Sequence, residues 1–185
     1  LLNRATQGLY APGSTFKIVT LLEYIKEHPK DYDKYKYECK GSAMFGDRRI
    51  SCYNNHVHGV LDLKGSLAHS CNDSFAHIGT ILNIKSFGKT AERLMFNKPI
   101  PLSIPYKRSS FSLSKSNTEN EIAQTAMGQG KTQITPIHLN MITSAIANDG
   151  KMMKPYVIDY VESADGKRIK TFQPQCYGEL MAEEE

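Results

Sequence analysis

The sequence lacks any apolar run long enough to cross a bilayer, which takes about 20 residues. Nothing at its start resembles a signal peptide. It also lacks an initiator methionine: Leu1-Leu2-Asn3 runs straight into Arg4-Ala5-Thr6-Gln7-Gly8. The other end, "GELMAEEE", reads as a helix that has just begun, with acidic residues in its first turns. Both ends are therefore read as cuts in a longer protein, so the missing signal and anchor exclude nothing. There is no basic stripe interleaved with aromatics, and this argues against nucleic acid as a partner. There is no internal repeat.

What is there is an ordinary soluble profile. The 185 residues suffice for one domain with a real core. Hydrophobic residues make up 40% and charged residues 23%, a balance typical of globular chains. The net charge of +4 is mild and reads as a solvated surface.

Helical periodicity opens at Ser14 and runs to about Lys26, with Phe16, Ile18, Val19, Leu21, Leu22 and Ile25 on one face. Residues 37 to 52 are Gly-punctuated and read as a small β excursion. Asp62 can cap a short helix through His69. Phe75, Ile78, Ile81 and Leu82 form another helical face. Residues 98 to 120 read as a long Pro- and Ser-rich loop. Thr135-Pro136 starts a helix whose stripe is Ile137, Met141, Ile142, Ala145 and Ile146, and Asn148-Asp149-Gly150 ends it. "YVIDYVESADGKRIKTF" reads as a hairpin around Asp165-Gly166.

The stretch "YAPGSTFK" carries chemistry. Ser14 and Lys17 stand three residues apart where a helix begins, so their side chains share a face. A serine hydroxyl needs a base to become a nucleophile. A lysine can be that base once burial or a nearby cation lowers its pKa. The helix N-terminus adds partial positive charge and backbone N–H groups for an oxyanion. On its own the pair is better read as a capping serine beside a solvated lysine.

Ser70-Cys71-Asn72, within "LAHSCNDSFAHIG", changes that weighing. Together with "NRATQGLYAPGSTFKIVT" and "TAMGQGKTQITPIHLNMITSAIANDGKMMKPY", it resembles the transpeptidase domain of the penicillin-binding proteins. The resemblance runs through nearly the whole chain and is strongest to the monofunctional, class B D,D-transpeptidases. It implies an α+β fold, of which this chain holds the mostly helical part of a penicillin-binding/β-lactamase-like domain. Short β-hairpins are expected, and the main antiparallel sheet is largely missing. Residues 1–185 would be a partial transpeptidase domain.

The resemblance also implies the roles. Ser14 would attack the penultimate D-alanine of a stem peptide ending in D-Ala-D-Ala, and Lys17 would take its proton. Ser70 would relay a proton to the leaving amine. Asn72 would orient Lys17 and hold the substrate. Cys71 receives no role. The implied function is peptidoglycan cross-linking through a serine acyl-enzyme, with β-lactam antibiotics as covalent ligands. Other cell-wall synthesis proteins are further expected partners, and nucleic acid is not. The expected place is the extracytoplasmic face of a bacterial membrane. No cofactor and no metal are expected.

One family motif is absent. Lys131-Thr132-Gln133 has Gln where Lys-Thr-Gly has Gly, and it lies just before a helix. It is read as a loop on the Gly128-Gln129-Gly130 turn, and the chain is read as truncated before the third motif and inactive alone. Relatives that share the first two motifs remain as alternatives: a D,D-carboxypeptidase, a β-lactamase or a β-lactam sensor. A non-catalytic interaction module is the alternative from another class. Gly130-Lys131-Thr132 and Gly88-Lys89-Thr90 lack the upstream glycine of a phosphate loop. Cys39, Cys52, His56 and His58 do not have zinc-finger spacing. Cys39 and Cys52 are expected to lie close in space, as free thiols ahead of a disulfide, and Cys176 is expected to be unpaired.

Overall fold

The fold is described from a computed structural model of residues 1–181. In chain order, α1 is Arg4–Gln7, a short 3₁₀ turn is Gly13–Phe16, and α2 is Lys17–Glu27. Three strands follow: β1 Lys36–Cys39, β2 Ser42–Phe45 and β3 Arg48–Ser51. Then come β4 Gly59–Asp62, α3 Leu63–Ala68, α4 Asn72–Ile81 and α5 Ile84–Arg93. After a long loop come α6 Glu119–Ala126 and α7 Pro136–Ile146. Four strands close the described chain: β5 Lys151–Met153, β6 Tyr160–Glu162, β7 Arg168–Thr171 and β8 Cys176–Glu179.

Helices carry the core, and among the described residues every sheet is a single antiparallel pair: β1–β4, β2–β3, β5–β8 and β6–β7. Phe16, on the 3₁₀ turn, anchors the centre. Its ring meets Phe87 of α5, Phe96 and Phe111 at 6.1, 5.7 and 6.0 Å. Burying such an aromatic contributes on the order of 2 kcal/mol. Thr20 of α2 donates to the Ala126 carbonyl of α6 at 2.6 Å. The β2–β3 hairpin packs Phe45 and Ile50 onto Ala76 of α4 and Ala123 of α6. A separate cluster holds Cys39, Cys52, Leu61 and Cys71.

Several expectations meet their elements directly. Asp62 accepts from the Gly65 N–H and caps α3, and Thr135 accepts from the His138 N–H and caps α7. The hairpin around Asp165-Gly166 forms as β6–β7. Residues 37 to 52 form β1 and the β2–β3 hairpin.

Others differ. Ser14 stands next to the start of α2 as expected, but on the second residue of the 3₁₀ turn that leads into it and not as the helix N-cap. The loop of residues 98 to 120 ends at Thr118, which forms a reciprocal capping box with Glu121 and starts α6. α5, capped by Asn83, is a helix beyond those expected. The expected helix at "GELMAEEE" is corrected in its first half. Gly178 and Glu179 belong to β8, paired with β5, and Leu180 and Met181 are buried in the main core. Its remaining residues, 182 to 185, lie outside the described part.

The "GQGKTQIT" block presses on the turn that carries Ser14. Gly13 N–H donates to the Gly128 carbonyl at 2.9 Å, and Tyr10 and Ile134 exchange backbone hydrogen bonds at 3.0 and 2.9 Å. Gly128 has φ +84°, and a Cβ there would meet the Gly13 carbonyl oxygen at 1.7 Å. Gly128→Ala is therefore expected to cost more than about 1 kcal/mol, or at least ~2–4 °C in Tm. Gly88→Ala, in open space inside α5, is expected to gain about 0.5–1 kcal/mol. Thermal melts check both, and equal effects at the two positions would contradict this packing.

Candidate active site

The Pro12-Gly13 turn sets up the first half of the site. Gly13 takes φ +58°, and the 3₁₀ turn then places Ser14 one turn ahead of Lys17. Lys17 opens α2 and is fully buried, with its stem beside the core and its ammonium nitrogen 5.6 Å from the Phe75 ring centroid.

The second half comes from the α3–α4 junction. Ser70 N–H donates to the Leu67 carbonyl, and Ser70 takes φ +50°, a left-handed conformation unusual for serine. That kink ends one helix and starts the next. Cys71 then caps α4 through its sulfur, which accepts from the Ser74 N–H at 3.4 Å. Ser70 and Asn72 thereby face the same amine.

Lys17 Nζ lies 3.3 Å from Ser14 Oγ, 2.6 Å from the Ser70 carbonyl oxygen, 2.9 Å from Ser70 Oγ and 2.8 Å from Asn72 Oδ1. Asn72 Nδ2 donates to the Ser51 carbonyl of β3 at 3.0 Å, which leaves Oδ1 to face the lysine. Two of these four partners, a carbonyl and an amide oxygen, can only accept. The two hydroxyls can accept or donate. A neutral amine satisfies the set well: its two N–H groups serve the obligate acceptors, and its lone pair accepts from a hydroxyl. Burial lowers the Lys17 pKa from 10.5 to about 8, against an opposing influence of Cys71 and Cys52. A minority free-base form is thus available near neutrality.

Above these groups is a cavity of about 380 Å³, lined by Ser14, Tyr53, His56, His58, His69, Ser70 and Asn72. A larger cleft of about 840 Å³ lies between residues 100–104 and the β6–β7 region, away from Ser14, Ser70 and Asn72. We place the chemistry in the smaller one, because nucleophile, amine and amide converge there. The structure brings all four sequence-derived site residues together. It adds the Ser51 carbonyl and the histidine wall, for which the spacing gave no signal. Lys131-Thr132-Gln133 lies in a connecting segment, where Gln133 bridges Ser110.

Comparison with known proteins settles the family. The family described as "Penicillin binding protein transpeptidase domain" matches residues 1–184. The chain belongs to that family. It is 27% identical over 185 residues to Stage V sporulation protein D of Bacillus subtilis, covering 98% of this chain and 28% of that protein. It is 24% identical over 178 residues to peptidoglycan D,D-transpeptidase PbpA of Mycolicibacterium smegmatis, covering 95% of this chain and 36% of that protein. The chain thus spans about a third or less of these curated relatives. Among solved structures, the D,D-transpeptidase domain of a peptidoglycan glycosyltransferase from Eggerthella lenta superposes with a TM-score of 0.88 at 29% identity, covering 99% of this chain and 47% of that one. Penicillin-binding protein A of M. tuberculosis, in an imipenem acyl-enzyme complex, shares the fold with a TM-score of 0.87 at 20% identity, covering 98% of this chain and 42% of that one. The expected α+β family fold is the observed one.

Asn72→Ala would leave the Ser51 carbonyl and one Lys17 N–H without partners. Each unsatisfied buried group costs about 1–3 kcal/mol. Denaturant unfolding of this variant is expected to show a loss in that range. An unchanged midpoint would mean that Asn72 does not hold the lysine.

Proposed function

We propose that the chain is the nucleophile-bearing part of a peptidoglycan D,D-transpeptidase. The observation that carries this reading is the buried Lys17 amine, within hydrogen-bond reach of both Ser14 Oγ and Ser70 Oγ. The names of the relatives, and the acyl-enzyme complexes that structural neighbours form with β-lactams, support it.

In this mechanism, neutral Lys17 takes the Ser14 proton as Oγ attacks the carbonyl of the penultimate D-alanine. The C–N bond to terminal D-alanine breaks, and Ser70 passes a proton to the departing amine. An ester to Ser14 remains. The amine of a second stem peptide attacks that ester, forms the cross-link and releases Ser14. A β-lactam presents a strained amide to the same oxygen. Its ring opens, and the acyl group stays attached. No carboxylate is among the residues lining the cavity. Glu121 is held in the α6 capping box and Glu119 accepts from Gly46 N–H, which speaks against a β-lactamase-type deacylating base.

The domain is partial in this reading. Its third motif and central sheet would come from sequence beyond these 185 residues, in keeping with the small share of each relative that is matched. The enzyme would act at the outer face of a bacterial cell membrane, on D-Ala-D-Ala stem peptides, beside other cell-wall synthesis proteins. Among the described residues no helix is long and apolar enough to cross a membrane.

A fluorescent penicillin tests the assignment. The full-length protein is expected to be labelled and its Ser14→Ala variant not. The 185-residue chain alone should be labelled about a hundred- to a thousandfold more slowly, the effect of one missing oxyanion donor. Labelling that survives Ser14→Ala would show that the nucleophile is another residue. Equal rates for chain and full-length protein would show that the missing motif is dispensable.

A further inference from the structure

Beneath the catalytic cavity lie three of the four cysteines. Cys39 ends β1, Cys52 follows β3, and Cys71 sits between Ser70 and Asn72. All three are buried and free. His58, just before β4, brings its ring to the same place. The four donor atoms, three sulfurs and an imidazole nitrogen, all lie within 4.8 Å of one another.

Buried cysteines often act only as small hydrophobes. The spacing here is different in kind. Cys39 Sγ and Cys52 Sγ are 3.7 Å apart, Cys52 Sγ and Cys71 Sγ are 3.7 Å apart, and Cys39 Sγ is 3.3 Å from His58 Nδ1. A tetrahedral zinc ion with bonds of about 2.3 Å to sulfur separates its sulfurs by about 3.8 Å, and a sulfur from an imidazole nitrogen by about 3.5 Å. A disulfide could use only two of the three sulfurs. Two backbone amides are also aimed at the cluster. Gly41 N–H donates to Cys39 Sγ and Ser74 N–H to Cys71 Sγ, each at 3.4 Å. Such N–H···S bonds stabilise thiolate charge and orient ligating sulfur.

The geometry points to a Cys₃His site for a soft, tetrahedral divalent cation such as Zn²⁺, held by Cys39, Cys52, Cys71 and His58. On binding, each thiol gives its proton to solvent and its thiolate donates to the ion. Four protein ligands leave no open position, so the ion is structural and activates no water. Its effect on catalysis is positional. It ties the β1 to β4 segment to Cys71, and so fixes Ser70 and Asn72 against Lys17. Ion binding stands on the donor geometry alone, while its link to acylation rests on the transpeptidase reading.

Zinc spacing rules based on Cys39, Cys52, His56 and His58 alone missed this arrangement. The fourth ligand is Cys71, and of the two histidines only His58 takes part.

The test uses the full-length protein, purified reduced and without chelator. Metal analysis is expected to find one zinc per chain. After chelation, Co²⁺ should restore the site with thiolate-to-cobalt charge transfer and tetrahedral visible bands. Cys52→Ser and His58→Ala should each weaken Zn²⁺ binding by at least about tenfold. The stripped protein should react with fluorescent penicillin at least about tenfold more slowly and recover on adding Zn²⁺. Stripping and reloading the unaltered protein needs no variant to fold. A folded protein that binds no stoichiometric zinc and shows no thiolate–cobalt absorption would overturn the site. Metal binding with unchanged acylation after stripping would overturn the positional role. Metal bound in every form, with no form labelled by penicillin, would sink the transpeptidase reading and leave the ion site standing.

Discussion

A lysine amine shut away from solvent is the constraint on which the rest depends. Lys17 has no exposed surface, and its nitrogen finds four oxygens, on three residues from two separate parts of the chain. A buried ammonium without partners would be untenable. The fold therefore has to supply them, and each supplier has its own local reason. The 3₁₀ turn brings Ser14. The left-handed Ser70 brings a carbonyl and a hydroxyl. Asn72, its amide fixed by Ser51, brings the last oxygen. Loss of any one changes both the stability of the packing and the chemistry available at Ser14.

The small β elements take on a purpose in that light. The β2–β3 hairpin is too short to form a core of its own. It leans on α4 and α6 through Phe45 and Ile50, and β3 delivers the Ser51 carbonyl to Asn72. The segment after it carries Tyr53, His56 and His58, which wall the cavity. The Gly128 turn closes on Gly13 from the other side and fixes the position of the nucleophile. The helical scaffold and the β excursion thus meet at the site.

Local chemistry was legible in the sequence, and remote pairing was not. The Asp62 and Thr135 caps, the Asp165-Gly166 hairpin and the Ser14/Lys17 spacing rest on neighbours within a turn, and all could be read from short windows. Ser70 and Asn72 came only from family resemblance, because nothing in their local pattern points to a lysine 53 residues away. α5 gives little local signal because its buried residues are few, chiefly Phe87, Thr90 and Ala91. The capping box of Thr118 and Glu121 was a readable signal lost inside a Ser-rich stretch. β8 depends on β5, some 25 residues upstream. Cys71 gives no local signal for a similar reason: the other two sulfurs belong to Cys39 at the end of β1 and Cys52 just after β3.

The most direct test of the account is the pH dependence of acylation. If buried Lys17 is the base, the single-turnover rate of penicillin acylation in the full-length protein follows its free-base fraction. That fraction rises with pH through the lysine's depressed pKa of about 8 and then levels off. The rate should therefore climb about tenfold per pH unit below that value and plateau above it, and Lys17→Met should abolish both the rate and its pH dependence. A rate that is flat across this range, or that survives Lys17→Met, would contradict the account.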